Sequence, residues 1–114
     1  MTRKEALAEL IEKVEAGFDP ERRPSEFRAL RDPDYAAWAL KAYCGSLDAA
    51  KALHEAVLPG WGWSLHMDEV ILAPPQYRGD DEWSCVLMPS EARCPARTWL
   101  LAILRALYAQ EPDI

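Results

Sequence analysis

Residues 46–67 read SLDAAKALHEAVLPGWGWSLHM, and within them the spacing of apolar side chains changes from helical to extended. Ser46 is a good N-cap, because its hydroxyl can accept from an otherwise unpaired first-turn N–H, and Asp48 stands where the helix dipole favours an acid. Leu47, Ala50, Leu53 and Val57 then recur as one stripe, and Pro59-Gly60 ends the run. From Trp61 the period becomes two: Trp61, Trp63, Leu65 and Met67 alternate with Gly62, Ser64 and His66. A strand buried on one face has this pattern. A helix that passes within a few residues into a half-buried strand predicts an α+β chain.

Working outward, Thr2 and Glu5 have capping-box spacing, and Leu7, Leu10, Ile11 and Val14 keep helical period until Gly17, predicting a helix over 3–16. Asp32 and Pro33 open a second helix with Tyr35, Trp38, Ala39, Ala42 and Tyr43 on one face, ending at Cys44-Gly45. Between the two, residues 17–34 hold Pro20, Pro24 and Pro33 with Arg22, Arg23, Arg28 and Arg31. This proline/arginine-rich connector is expected to wrap the surface, with at most a turn of helix around 25–30. After the first strand, a turn at Asp68-Glu69 leads into Val70, Ile71 and Leu72. Pro74-Pro75 stops that strand, and residues 83–88 form a third. The last helix opens at Pro95 and carries Trp99, Leu100, Leu101, Ile103, Leu104, Leu107 and Tyr108 before Pro112. So broad an apolar surface is either central or faces a second copy, and a homodimer through this helix is the expectation.

The expected architecture is one domain over 1–114, with three or four helices packed on a small antiparallel three-stranded sheet. A chain of 114 residues with 50% hydrophobic side chains has enough apolar surface for a core of its own. Nineteen acidic against thirteen basic side chains give a net charge of −6, which opposes any mechanism that grips nucleic-acid phosphates. Three unclustered cysteines, Cys44, Cys85 and Cys94, suit a reducing compartment. No apolar run suggests an export signal or a membrane span, so a cytoplasmic location is expected.

The segments Tyr43-Cys44-Gly45-Ser46-Leu47-Asp48-Ala49-Ala50, Leu53-His54 and Gly60-Trp61-Gly62-Trp63 have a combined resemblance. With Cys94-Pro95-Ala96-Arg97 before the closing helix, they resemble small phage and prophage proteins of the phage ABA-sandwich family. The likeness runs over about 43–109 and rests on helix starts, a Gly-Trp strand entry and core positions. It departs at Cys44, where the family more often has a hydroxyl, and it does not extend to the connector 17–34. It implies an α-β-α sandwich in a viral or prophage protein in the host cytoplasm, and no activity.

Chemistry-bearing patterns are sparse. A metal site needs ligands at spacings such as Cys-x-x-Cys or His-x-x-x-His, and none occurs. Buried apolar cysteines are the simpler expectation, with His54 a half-exposed packing residue and His66 on the strand face opposite Trp63 and Leu65. Cys94, at the start of the last helix beside Arg93 and Arg97, could be an activated thiol, yet no motif supplies a base. Asp80-Asp81-Glu82 reads first as a solvated turn, and Arg78-Gly79-Asp80 as a chance tripeptide. No catalytic residue, cofactor or metal is assigned. Of the five tryptophans, Trp61, Trp63 and Trp83 are expected in an aromatic core; any one found exposed would read as an interface anchor.

Charge is the uneven feature: residues 61–90 hold Asp68, Glu69, Asp80, Asp81 and Glu82 against Arg78 alone. With Tyr77 in the same loop, these five acids form the expected contact surface for a host or phage protein with a basic face. The function expected is that of a phage or prophage accessory protein acting by stoichiometric protein–protein binding, inhibition of a host defence system being one form of it. The alternative is a small-ligand binder or enzyme with a Trp- and Cys-lined pocket between the last helix and the sheet. In the absence of ligand spacing, a chelator is expected to leave the thermal unfolding midpoint unchanged, and elemental analysis should find no stoichiometric zinc. One zinc per chain together with chelator-induced unfolding would refute this.

Overall fold

A computed structural model describes residues 3–17, 21, 27, 30, 32–65, 69–73, 86–89 and 95–110. The chain is α+β, with four helices and an antiparallel sheet among the described residues. The elements are α1 (Arg3–Ala16), α2 (Pro33–Tyr43), α3 (Leu47–Val57), β1 (Gly62–Leu65), β2 (Glu69–Ala73), β3 (Val86–Pro89) and α4 (Pro95–Gln110). Among the described residues, no helix is long and apolar enough to cross a membrane.

The α2–α3 corner follows from local chemistry. The Asp32 side chain accepts from the Asp34 N–H at 2.8 Å, and Pro33 occupies the first helical position, where its missing N–H costs nothing. At the other end, the Gly45 N–H donates to Ala42 O at 3.0 Å and the Ser46 N–H to Lys41 O at 2.9 Å. This is a Schellman closure, with Gly45 at φ +111° in the left-handed region. Ser46 then caps α3, its Oγ accepting from the Ala49 N–H at 3.1 Å. Pro59-Gly60 ends the helical run in a turn closed by the Trp61 N–H on Leu58 O at 3.1 Å, with Gly60 at φ +83°.

β1 and β2 run antiparallel with Trp63 opposite Leu72 and Leu65 opposite Val70; β2 also pairs antiparallel with β3, Val70 opposite Met88. Paired residues share a face, so Trp63, Leu72 and Val70 look the same way. Val70 and Leu72 are buried. Against that face lies α4, which also packs on α1, α2 and α3. Among the described residues α4 thus lies between the sheet and the other helices. The reason is α4 itself: Trp99, Leu100, Ile103 and Leu104 are buried in succession around the helix, and so are Thr98 and Ala102 on its other flank. A helix apolar over most of its circumference takes the central position. Of the side chains that make α4 broadly apolar, Trp99, Leu100, Ile103, Leu104 and Leu107 are buried, Leu101 is half-buried and Tyr108 is exposed.

Two expectations change. Phe27 and Leu30 are buried at 2% exposure each, so the connector inserts two anchors into the core and does not only wrap the surface. Glu69 is not a turn residue but the first residue of β2, its backbone opposite Pro89. The third strand is Val86–Pro89, and Trp83 lies outside the described residues.

Gly45 isolates backbone strain from packing, because a Cβ built there meets nothing within 4 Å. Gly45→Ala is expected to destabilise by about 1–2 kcal/mol, from the left-handed backbone alone. Chemical denaturation should show a lower midpoint with an unchanged m-value.

Candidate functional site

The expected contact residues Asp68, Tyr77, Asp80, Asp81 and Glu82 lie outside the described residues, as do Cys85, Cys94, Arg93 and His66. Glu69 is placed by its backbone alone. What the structure brings together instead is a buried node joining α3, the entry to β1, and α4.

His54 is 1% exposed, which corrects the expectation of a half-exposed packing residue. It lies on the helical stripe between Ala50 and Leu58, four residues from each, and both of those are buried. That spacing, with Trp61-Gly62-Trp63 following, was the signal that could have found it. Its Nδ1 accepts from the Trp99 indole Nε1–H at 3.2 Å, and its Nε2 lies 3.1 Å from Trp61 O. An indole N–H only donates, so Nδ1 carries no proton and Nε2–H donates to the carbonyl. Both ring nitrogens are satisfied in the neutral form by Trp99 and Trp61. The Trp99 ring meets His54 edge-on at 5.8 Å between centroids and Trp63 at 4.8 Å.

Burial pushes the His54 imidazole below its ordinary value of 6.5, outweighing the hydrogen bond to Trp61 and the charge of Glu55, which both act upward. Protonation would also set an Nδ1–H against the indole N–H, leaving two donors facing each other in a buried site.

A second junction lies at the other end of α2. Arg97 Nε donates to Tyr43 O at 3.1 Å, and its guanidinium sits 3.9 Å from the Tyr43 ring centroid. One side chain thereby satisfies a terminal carbonyl of α2 and makes a cation–π contact. Arg97, which the sequence places near Cys94, is engaged in holding α4 to α2. On the outer surface Arg105 pairs with Glu15, Lys51 with Glu55, and Lys4 lies over the Tyr108 ring.

The other tryptophans divide. Trp38 is half-buried and stacked on Tyr35 at 5.9 Å, Trp61 is half-buried against the core, and Trp63 is 43% exposed. Cys44, expected to be buried, is exposed at the C-cap of α2. Among the described residues no group of three or more His, Cys, Asp or Glu side chains converges on a metal position. Comparison with protein-family models, curated proteins and solved structures finds no match for the chain.

A His54 held neutral gives stability a definite pH dependence. The unfolded chain takes up the proton near pH 6.5 and the folded chain resists it, so acid favours unfolding. The contribution is complete above that value and is lost as pH falls below it, with a slope of up to about 1.4 kcal/mol per pH unit until the folded imidazole itself titrates. Denaturation series at pH 7.5 and 5.5 should show this slope in the wild type. In His54→Gln, whose amide offers an acceptor and a donor but no titrating proton, the same interval should show a flatter profile.

Proposed function

We propose that the protein acts by stoichiometric binding to a partner protein with a basic surface. The contact is the hairpin region carrying Asp68, Glu69, Tyr77, Asp80, Asp81 and Glu82. The observation that supports this reading is Trp63, 43% exposed on β1 within that same unit. A partly exposed large aromatic in a stretch of sequence with an excess of carboxylates has the composition of an interface anchor with a charged rim. The helical charges add to the argument: Arg105, Lys51, Lys4 and Arg97 are engaged with groups of the helical layer. In residues 61–90 five acids face a single arginine in sequence. In this reading the protein is a phage or prophage accessory factor working in the host cytoplasm against a component of host defence.

The ligand-pocket alternative has less support. His54, its one described polar member, gives both ring nitrogens to the chain's own groups, and the Trp99 ring lies against Trp63.

The test begins with affinity capture of the partner from the host. Asp80→Lys, Asp81→Lys and Glu82→Lys are then combined and association is followed at low salt. Opposite potentials speed encounter, so the triple variant is expected to associate at least about tenfold more slowly, with its unfolding midpoint retained. Unchanged kinetics would remove this surface as the contact.

A further inference from the structure

The helical layer and the sheet meet differently along their border. β2 and β3 lie against α4, whereas Gly62 and Trp63 of β1 are exposed. The entry to β1 is tied to the helices by His54 Nε2 on Trp61 O at 3.1 Å and by the Trp63–Trp99 ring contact at 4.8 Å. The same imidazole is held on α4 by the Trp99 indole at 3.2 Å. One titratable group is therefore the common partner of a loop carbonyl before β1 and a buried side chain of the central helix.

We propose that Trp61, His54 and Trp99 form an acid-released latch: protonation of His54 turns its acceptor nitrogen into a donor facing a donor, and the β1 entry separates from α4 while α4 stays packed in the helical layer. The geometry allows no other neutral arrangement, because the indole can only donate and the Trp61 carbonyl can only accept. Protonation therefore loses the Trp99 bond and keeps the Trp61 bond, so the imidazole and the loop carbonyl it holds move off α4 together. Proline and glycine at 59 and 60, with Gly60 at φ +83°, form the turn next to this entry, and both are exposed.

Among the described residues, the charges near the ring leave the response to His54. On α3, Glu55 acts on the imidazole, and its carboxylate is itself 3.9 Å from Lys51 Nζ. On α4, Arg97 is turned to Tyr43. On β1, Gly62–Leu65 contains no titratable side chain. On α2, which packs on α3 and α4, Tyr43 lies under Arg97, and Lys41 and Cys44 are exposed. Burial of the ring sets the direction, since it disfavours the charged form more strongly than Glu55 favours it.

The latch is independent of the hairpin's being a docking surface, and its test uses the isolated full chain. Exchange of the Trp99 indole Nε1–H is followed by NMR at pH 7.5 and 5.5, corrected for intrinsic rate, beside the backbone amides of Ile103 and Leu104. The His54 Cε1–H shift is followed across the same range. The indole N–H is expected to exchange through an opening more frequent than the one that exposes the α4 amides. That opening constant should grow about tenfold per pH unit once the pH is below the ordinary imidazole range. In His54→Gln the separate opening should persist without growing on acidification. Trp99→Phe keeps a ring and removes the donor, so the His54 shift should titrate at higher pH than in the wild type, which keeps the test decisive if His54→Gln fails to fold. The proposal is overturned if the indole and the α4 amides share one opening constant at both pH values. It is equally overturned if the separate opening ignores pH, or if His54 of the intact chain titrates at its ordinary value.

Discussion

A helix that is apolar over most of its circumference has to be packed from several sides, and α4 imposes that constraint on the whole chain. Trp99, Leu100, Ile103 and Leu104 are buried within 2% exposure and point in different directions around one axis. Burying each of these contributes about 1.5–3 kcal/mol, so leaving one flank wet would forfeit a sizeable part of a small domain's net stability. The strands cover one flank through Val70 and Leu72, and α1, α2 and α3 pack on others, leaving Arg105 and Tyr108 exposed. Even the connector contributes, because Phe27 and Leu30 complete the same core. The other elements can be understood as a sheath whose pieces are short because each covers only part of a 16-residue helix.

Sequence patterns disclose this arrangement to different depths. The α2–α3 corner is legible because each requirement is local and met by a residue type suited to it: Asp32 and Ser46 at caps, Pro33 at a first position, Gly45 where φ is positive. The strand face is legible for the same reason, since alternation puts Trp63 and Leu72 on one side. Layer order is not local. Several apolar faces could meet α4 with similar gain, and periodicity says that a face is buried without saying against what. The connector fails in another way: its arginines and prolines dominate the composition, and two apolar anchors three residues apart hardly register as a period. The proposed contact residues are hardest, because acids in loops obey no spacing that ties them to one another or to a partner.

Hydrophobic contact is indifferent to rotation, so a central helix sheathed in leucine, alanine and isoleucine could turn about its axis at modest cost. Polar bonds at its N-terminal end oppose this. Arg97 binds the last carbonyl of α2, and two residues later Trp99 binds His54 of α3. These bonds are directional, and residues two apart on a helix face different sides, so together they fix the rotation of α4 against two neighbours. Breaking the Trp99–His54 bond leaves buried polar atoms unpaired, which costs about 1–3 kcal/mol, whereas the same area of apolar contact can be remade after a small shift. His54 then extends the alignment to the sheet, because its second nitrogen holds the Trp61 carbonyl. A hydrocarbon side chain at position 54 could fill the space without carrying direction from α4 to β1. The histidine does so while neutral, and this gives the junction between helices and sheet a dependence on protonation that the apolar core alone lacks.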